Sequence, residues 1–170
     1  MAEFILRSRK GQSTADGPLA EMTGRGHFEI LAQCVVNALF YSGNIRPETA
    51  IHLVFEGPSA PPKIVRFESD RLCSLDGHTE RSIGAVVQRA LSAGRHLKLG
   101  EEIAVDDGLY VAKQSFEQLV KTKSQAGPCF YLNKRGADIR STFLASAAVF
   151  VFSDHMSMPK KSEKHLDRIG

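Results

Sequence analysis

The chain has 170 residues, 42% hydrophobic and 24% charged, with a formal net charge of +3; that is the composition of an ordinary globular chain, long enough for one sizeable core. No run reaches the roughly 18 uninterrupted apolar residues of a membrane span, and MAEFILRSRK, with its acid ahead of its basic residues, reverses the order of a signal peptide, so a cytoplasmic address is expected. Cys34, Cys73 and Cys129 lack C-x-x-C spacing and the histidines do not pair at ligand spacing, so neither a disulfide framework nor a metal site is expected.

In chain order, EFILRS (3–8) predicts a first strand, followed by a Gly/Ser/Thr-rich loop from Lys10 to about Gly26. Phe28, Leu31, Val35, Ala38 and Leu39 recur at helical spacing and predict a helix from Phe28 to about Tyr41, with Gly43 as its stop. TAIHLVFEG (49–57) and KIVRFES (63–69) predict two strands on either side of the breaker GPSAPP. Thr79 is an N-cap candidate for a helix carrying Ile83, Val86, Val87, Ala90 and Leu91 and closed by Gly94. Residues 95–107 read as loop, and GLYVA (108–112) as a short strand. Ser115 with Gln118 reads as a capping-box pair ahead of a short helix. PCFYLN (128–133) and AVFVFS (148–153) are the last strands, and PKKSEKHLDRI a final helix with Pro159 at its first position.

Strands alternating with helices imply an α/β fold with a mostly parallel sheet flanked by helices. All of 1–170 reads as one domain. Ligands of such sheets collect at the carboxyl ends of strands, where Leu132–Gly136 and Ser153–Ser157 fall. Several strong motifs are missing: no G-x-G-x-x-G after a strand, no G-x-x-x-x-G-K-[ST], no H-E-x-x-H and no G-x-S-x-G. What remains is an apolar strand that ends on Asp154 and His155. Acid beside imidazole serves proton transfer, or Asp154 simply caps the helix that follows. YLNKRGADIR (131–140) is in the same way either a tight connection or the rim of a pocket. The bunched cations Arg7, Arg9 and Lys10, and Lys160, Lys161 and Lys164, are solvated faces or a contact surface.

Taken together and in this order, EFILRSRK, LAQCVVNALFYS (31–42), LVFEGPSAPPKIVRF (53–67), DGHTERSIGAVVQRAL (76–91), GLYVAKQSFEQL (108–119), YLNKRGADIR and FVFSDHMSMP (150–159) resemble the tRNA pseudouridine N1-methyltransferase family of the SPOUT superfamily. The resemblance implies a homodimer that uses S-adenosylmethionine, held mostly by backbone groups in a C-terminal trefoil knot. It implies methylation of N1 of a pseudouridine in structured RNA, in archaeal members at position 54 of the tRNA T-loop. Carried onto this chain, it implies that Leu132, Gly136 and Ser153 meet the cofactor; since the acceptor's N–H must be lost, Asp154 is the first candidate to accept that proton. In such a reaction Arg66 either holds a phosphate or uracil oxygen or is a strand residue facing solvent, and Arg7, Arg9 and Lys10 contribute to an RNA-binding face, with no metal and no membrane expected. A ribosomal RNA substrate, or a non-catalytic RNA-binding or dimerisation module, are the alternatives. Ser153 and Ser157 stand where the family usually has glycines, a change that costs about 1 kcal/mol wherever φ is positive. The family also continues beyond a sequence like HLDRIG into a third cofactor loop and a final helix, so the expectation is a tail missing from this sequence, without which the knot is incomplete.

Overall fold

The computed structural model describes residues 1–15, 28–72, 75, 77–133, 135–142, 147–154 and 156–169. In chain order the elements are β1 (Ala2–Gln12), α1 (Phe28–Leu39), β2 (Phe40–Tyr41), β3 (Asn44–Ile45), β4 (Thr49–Gly57) and β5 (Lys63–Glu68). There follow α2 (Glu80–Ala93), β6 (Glu102–Asp106), β7 (Leu109–Ala112), α3 (Phe116–Ser124), β8 (Cys129–Tyr131), β9 (Ala148–Ser153) and α4 (Lys160–Ile169). Among these helices none is long and apolar enough to cross a membrane.

Seven strands form one sheet in the order β6-β7-β5-β4-β1-β9-β8. From β4 through β8 every pairing is parallel, whereas β4–β5, β5–β7 and β7–β6 are antiparallel. Connection length explains the division. The breaker between Gly57 and Lys63 and the turn at Asp107–Gly108 are too short for a crossover, and only an antiparallel partner can follow a tight turn. Gly108 is required there: its φ is +74°, and a Cβ would lie 2.7 Å from the Glu68 carbonyl oxygen. The α/β architecture with a parallel sheet core flanked by helices is as the sequence implied.

Alternation along the strands gives each face its own apolar layer. On one face Leu31, Val35 and Leu39 of α1 and Ile83, Val87 and Leu91 of α2 pack on Leu53, Phe55, Val65 and Phe67. On the other, Phe116, Leu119 and Val120 of α3 and Leu166 of α4 pack on Ile5, Val54, Ile64, Val149 and Val151. Each such side chain stabilises the fold by about 1.5–3 kcal/mol relative to exposure.

Four local expectations need correction. β1 runs on to Gln12, into the stretch read as loop, because Gln12 still pairs with Gly57 of the long neighbour β4. α1 stops at Leu39, and Phe40–Tyr41 instead pair with Asn44–Ile45 around the Ser42–Gly43 turn. Residues 95–107 contain β6, an edge strand whose Glu102, Ile103 and Ala104 are exposed; its polar, charged character disguised it. Pro159 precedes α4 rather than opening it, its carbonyl accepting from Ser162 N at 2.8 Å and Glu163 N at 3.0 Å. Thr79 caps α2 as read, accepting from Ser82 N, and Ser115 caps α3 by accepting from Gln118 N; the reciprocal capping box, expected at Ser115, is instead completed at Thr79 by Ser82.

Candidate functional site

β8 and β9 lie side by side with Tyr131 opposite Val151. Leu132 N donates to the Val151 carbonyl at 3.1 Å, so the pairing continues one residue past β8 before the chain leaves the sheet. It then turns sharply: Gly136 N donates to the Asn133 carbonyl at 2.9 Å and Arg135 N to Asn133 Oδ1 at 2.9 Å. A Cβ on Gly136 would sit 3.1 Å from that Asn133 oxygen, so glycine lets the turn close tightly. Asp138 caps the following 3-10 turn by accepting from Arg140 N at 3.0 Å.

This loop folds beside the open part of the sheet and walls a groove of about 590 Å³. Leu132, Gly136 and Ile139 line it from the loop; Phe130, Phe150 and Phe152 line it from the strands. The phenyl rings form a ladder, with Phe150 5.8 Å from Phe130 and 5.5 Å from Phe4, and Phe4 6.4 Å from Phe152. Leu132 is 77% exposed, an apolar side chain held at a strand end with nothing over it. A concave, mainly apolar groove with a backbone rim, within the roughly 300–1,000 Å³ of small-molecule sites, suits a flat aromatic base and an alkyl chain.

The end of β9 turns the other way. Asp154 N donates to the Arg7 carbonyl at 3.0 Å, while its carboxylate accepts from Ser8 Oγ at 2.9 Å and from Met156 N at 3.0 Å. Ser153 Oγ donates to the Met156 carbonyl. Neither Ser153 nor Asp154 lines the groove, which reaches only as far as Phe152. Asp154 is thus a local cap that ties the β9 turn to β1, and His155 lies outside the described residues. Neither Ser153 nor Ser157 has positive φ; Ser42 and Glu48 are the described non-glycine residues that do. The serines that replace family glycines therefore carry no backbone penalty.

The structure does not bring Arg66 to Asp154 within one chain. Arg66 is on β5, three strands from β9, or about 14 Å across the sheet at a ~4.8 Å spacing. Its guanidinium pairs with Glu68 and, at 2.7 Å, with Glu102, and lies 3.9 Å from the Tyr110 ring centroid. Arg7 is a correction of a different kind: expected on an RNA-facing surface, it is 7% exposed. Its forked guanidinium holds Glu56 through two bonds of 2.9 Å and lies 4.2 Å from the Phe116 ring centroid. Burial between β1, β4 and α3 makes it a structural clamp, while Arg9 is partly exposed and Lys10 exposed.

Two features escaped the sequence reading. The phenylalanine ladder was legible only as a buried strand, although Phe150 and Phe152 at i and i+2 share a face. The other is a cluster around buried Glu3, whose Oε2 accepts from buried His52 Nε2 at 2.8 Å and from partly exposed Lys123 Nζ at 2.6 Å. Burial alone would raise the Glu3 carboxyl, but the hydrogen bonds and charges of His52 and Lys123 outweigh it and hold Glu3 at about 2. Burial pushes His52 below its usual value.

A family model described as "Putative SAM-dependent RNA methyltransferase" matches residues 1–170. The chain belongs to this family. As a member of these RNA methyltransferases it takes S-adenosylmethionine as cofactor and RNA as its class of substrate. Three curated relatives, each named "Putative pseudouridine methyltransferase", are similar over all of this chain. The one from Alcanivorax borkumensis is 33% identical over 171 residues and is itself covered to 86%. Those from Vibrio cholerae and Photobacterium profundum are 31% and 30% identical over 170 residues, covered to 85% and 86%. The groove beside β8, lined by Leu132, Gly136, Ile139, Phe130, Phe150 and Phe152, is the candidate cofactor site.

Proposed function

We propose that the protein transfers a methyl group to N1 of a pseudouridine in structured RNA, with tRNA, at T-loop position 54 or another site, as the substrate. The reading is of one SPOUT-type domain over 1–170, working in the cytoplasm as a homodimer with a knotted C-terminal cofactor site. The observation that carries it is the open apolar groove at the adjoining carboxyl ends of β8 and β9, in a chain whose relatives carry the name pseudouridine methyltransferase.

When bound, S-adenosylmethionine supplies an electrophilic methyl group. Leu132 and Ile139 cover its apolar parts, Gly136 keeps the loop close, and the phenyl ladder excludes water. Acceleration comes mainly from alignment of acceptor and donor. The acceptor's N1 proton must leave, and Asp154 is the candidate acceptor for it. Ser8 and Met156 N fix that carboxylate in place. N1 of a stacked nucleotide is poorly accessible, so the acceptor base must be extruded from its stack.

Calorimetry with S-adenosylmethionine tests the groove: binding to the wild type, weakened at least tenfold in Ile139→Glu, is expected. No heat at millimolar cofactor removes the enzymatic reading. Mass mapping of methylated pseudouridine in RNA from a deletion strain decides between tRNA and ribosomal RNA. Asp154→Asn should bind cofactor normally and lose turnover; unchanged turnover removes Asp154 as the base.

A further inference from the structure

We infer that a second surface, a cationic cleft on the sheet face opposite the phenylalanine ladder, grips the phosphate backbone of the RNA substrate. The inference rests on the reading that the chain acts on folded RNA, and adds where that RNA is held. Lys161, Lys164 and Arg168 are spaced i, i+3, i+7 and so share one side of α4, while Ser162 and Leu166 form its buried side. Together with Arg9 they line a cleft of about 720 Å³. Lys161, Lys164 and Arg168 are exposed.

The cleft also contains two acids that could have neutralised these cations, Glu56 and Glu117. Both are committed to buried Arg7, whose Nη2 lies 2.9 Å from Glu56 Oε1 and 3.5 Å from Glu117 Oε1. Arg7 Nη1 also donates to Ser162 Oγ at 2.7 Å, which fixes α4 against β1. The Arg7 guanidinium holds both carboxylates and offsets one of their two negative charges, so the cleft keeps an excess of cations. Among the described residues, Arg9, Lys161, Lys164 and Arg168 have no ion-pair partner. Arg7, Arg9, Lys161, Lys164 and Arg168 outnumber the two acids of the lining, and such a net positive concavity attracts a polyanion.

A phosphodiester chain fits this surface better than a protein does. Apart from Pro159 the lining is charged or polar, so it lacks the apolar anchors that carry affinity in protein interfaces. Long flexible cations are what backbone contacts use, setting register without reading sequence. From Lys161 to Arg168 the helix rises about 10 Å at 1.5 Å per residue, room for more than one phosphate. The location is also apt, because Arg9 and Glu56 lie near the carboxyl ends of β1 and β4, the end of the sheet at which the β9 turn and the groove open. RNA anchored here is held at the same end of the sheet as the groove, on its opposite face.

The test measures binding of fluorescein-labelled bulk tRNA by anisotropy across a salt series, with S-adenosylmethionine calorimetry as control. Lys161→Glu/Lys164→Glu/Arg168→Glu should raise Kd at least tenfold. It should also flatten the slope of log K against log salt by about two, at roughly 0.7–0.9 for each phosphate that the variant no longer neutralises. Cofactor binding should not change. Arg9→Glu, on β1, supplies a second variant independent of α4 and should raise Kd about threefold. A Kd and a salt slope indistinguishable from wild type in both variants overturn the inference. Should the variants weaken tRNA binding while wild type forms no methylated pseudouridine, the cleft stands and the proposed reaction falls. Methylation by wild type with unimpaired tRNA binding in the variants has the opposite meaning.

Discussion

On the face covered by α1 and α2, the strands β4, β5 and β7 are sealed beneath apolar side chains, but Phe130, Phe150 and Phe152 further along the same face remain half exposed. On the face covered by α3 and α4, coverage reaches β9, and the opening left at its edge is lined by cations instead. One sheet therefore presents an apolar recess on one side and a basic one on the other, both towards the carboxyl ends of the parallel strands. The difference follows from which strands the described helices cover. The ladder, which none of the described helices covers, leaves its phenyl rings half exposed; where α4 docks, its outward side supplies charge.

The closed part of the first face can be broken outright. Phe67, fully buried between β5 and the helices, should cost about 3–5 kcal/mol as Phe67→Ala in urea unfolding. Phe150→Ala, on the same face but half exposed, should cost only about 1 kcal/mol and instead weaken cofactor binding. Equal losses in stability would erase the distinction between sealed and open regions.

The second face carries the charged groups, and acid should weaken it. Glu3, 8% exposed, has its carboxyl lowered from 4.5 to about 2. A depressed folded value means that its stabilisation is complete above the unfolded value near 4.5 and is lost as pH falls from there towards about 2. The loss should be on the order of 3 kcal/mol in unfolding free energy, and Glu3→Gln should flatten that segment of the pH profile. Arg7→Met should cost about 2 kcal/mol, because Glu56 and Glu117 lose their shared cation; the full ~3–5 kcal/mol of a buried pair is reduced by the partial exposure of both acids. Adding Glu56→Gln should restore part of it. A loss under 0.5 kcal/mol would show that Arg7 is not the clamp described.

Much of the fold could be read from periodicity. TAIHLVFEG and AVFVFS became strands at the bounds expected of them, and the apolar stripe from Ile83 to Leu91 became α2. β6 was missed because an edge strand with exposed residues lacks the alternation that burial imposes. The candidate site was half legible. Leu132 and Gly136 do meet in the groove, since a turn after a strand is a local property. Ser153 and Asp154 follow the next strand at the same end of the sheet, but their side chains hydrogen-bond to the β9 turn and β1. Which neighbour a strand-end side chain faces depends on strand order, and nothing in FVFSDHMSMP encodes that β1 lies beside β9.

By itself the sequence determined the elements, the α/β class and the family pattern, because backbone propensity, apolar period and turn chemistry act over a few residues. The tertiary structure alone decided that Arg7 is buried while Arg9 is not, and that Glu56 and Glu117 are drawn onto it. It also decided that Phe150 and Phe152 line a recess rather than a core. Burial and charge pairing are set by which distant segments pack together, and two arginines two residues apart on one strand carry no local mark of which will be covered.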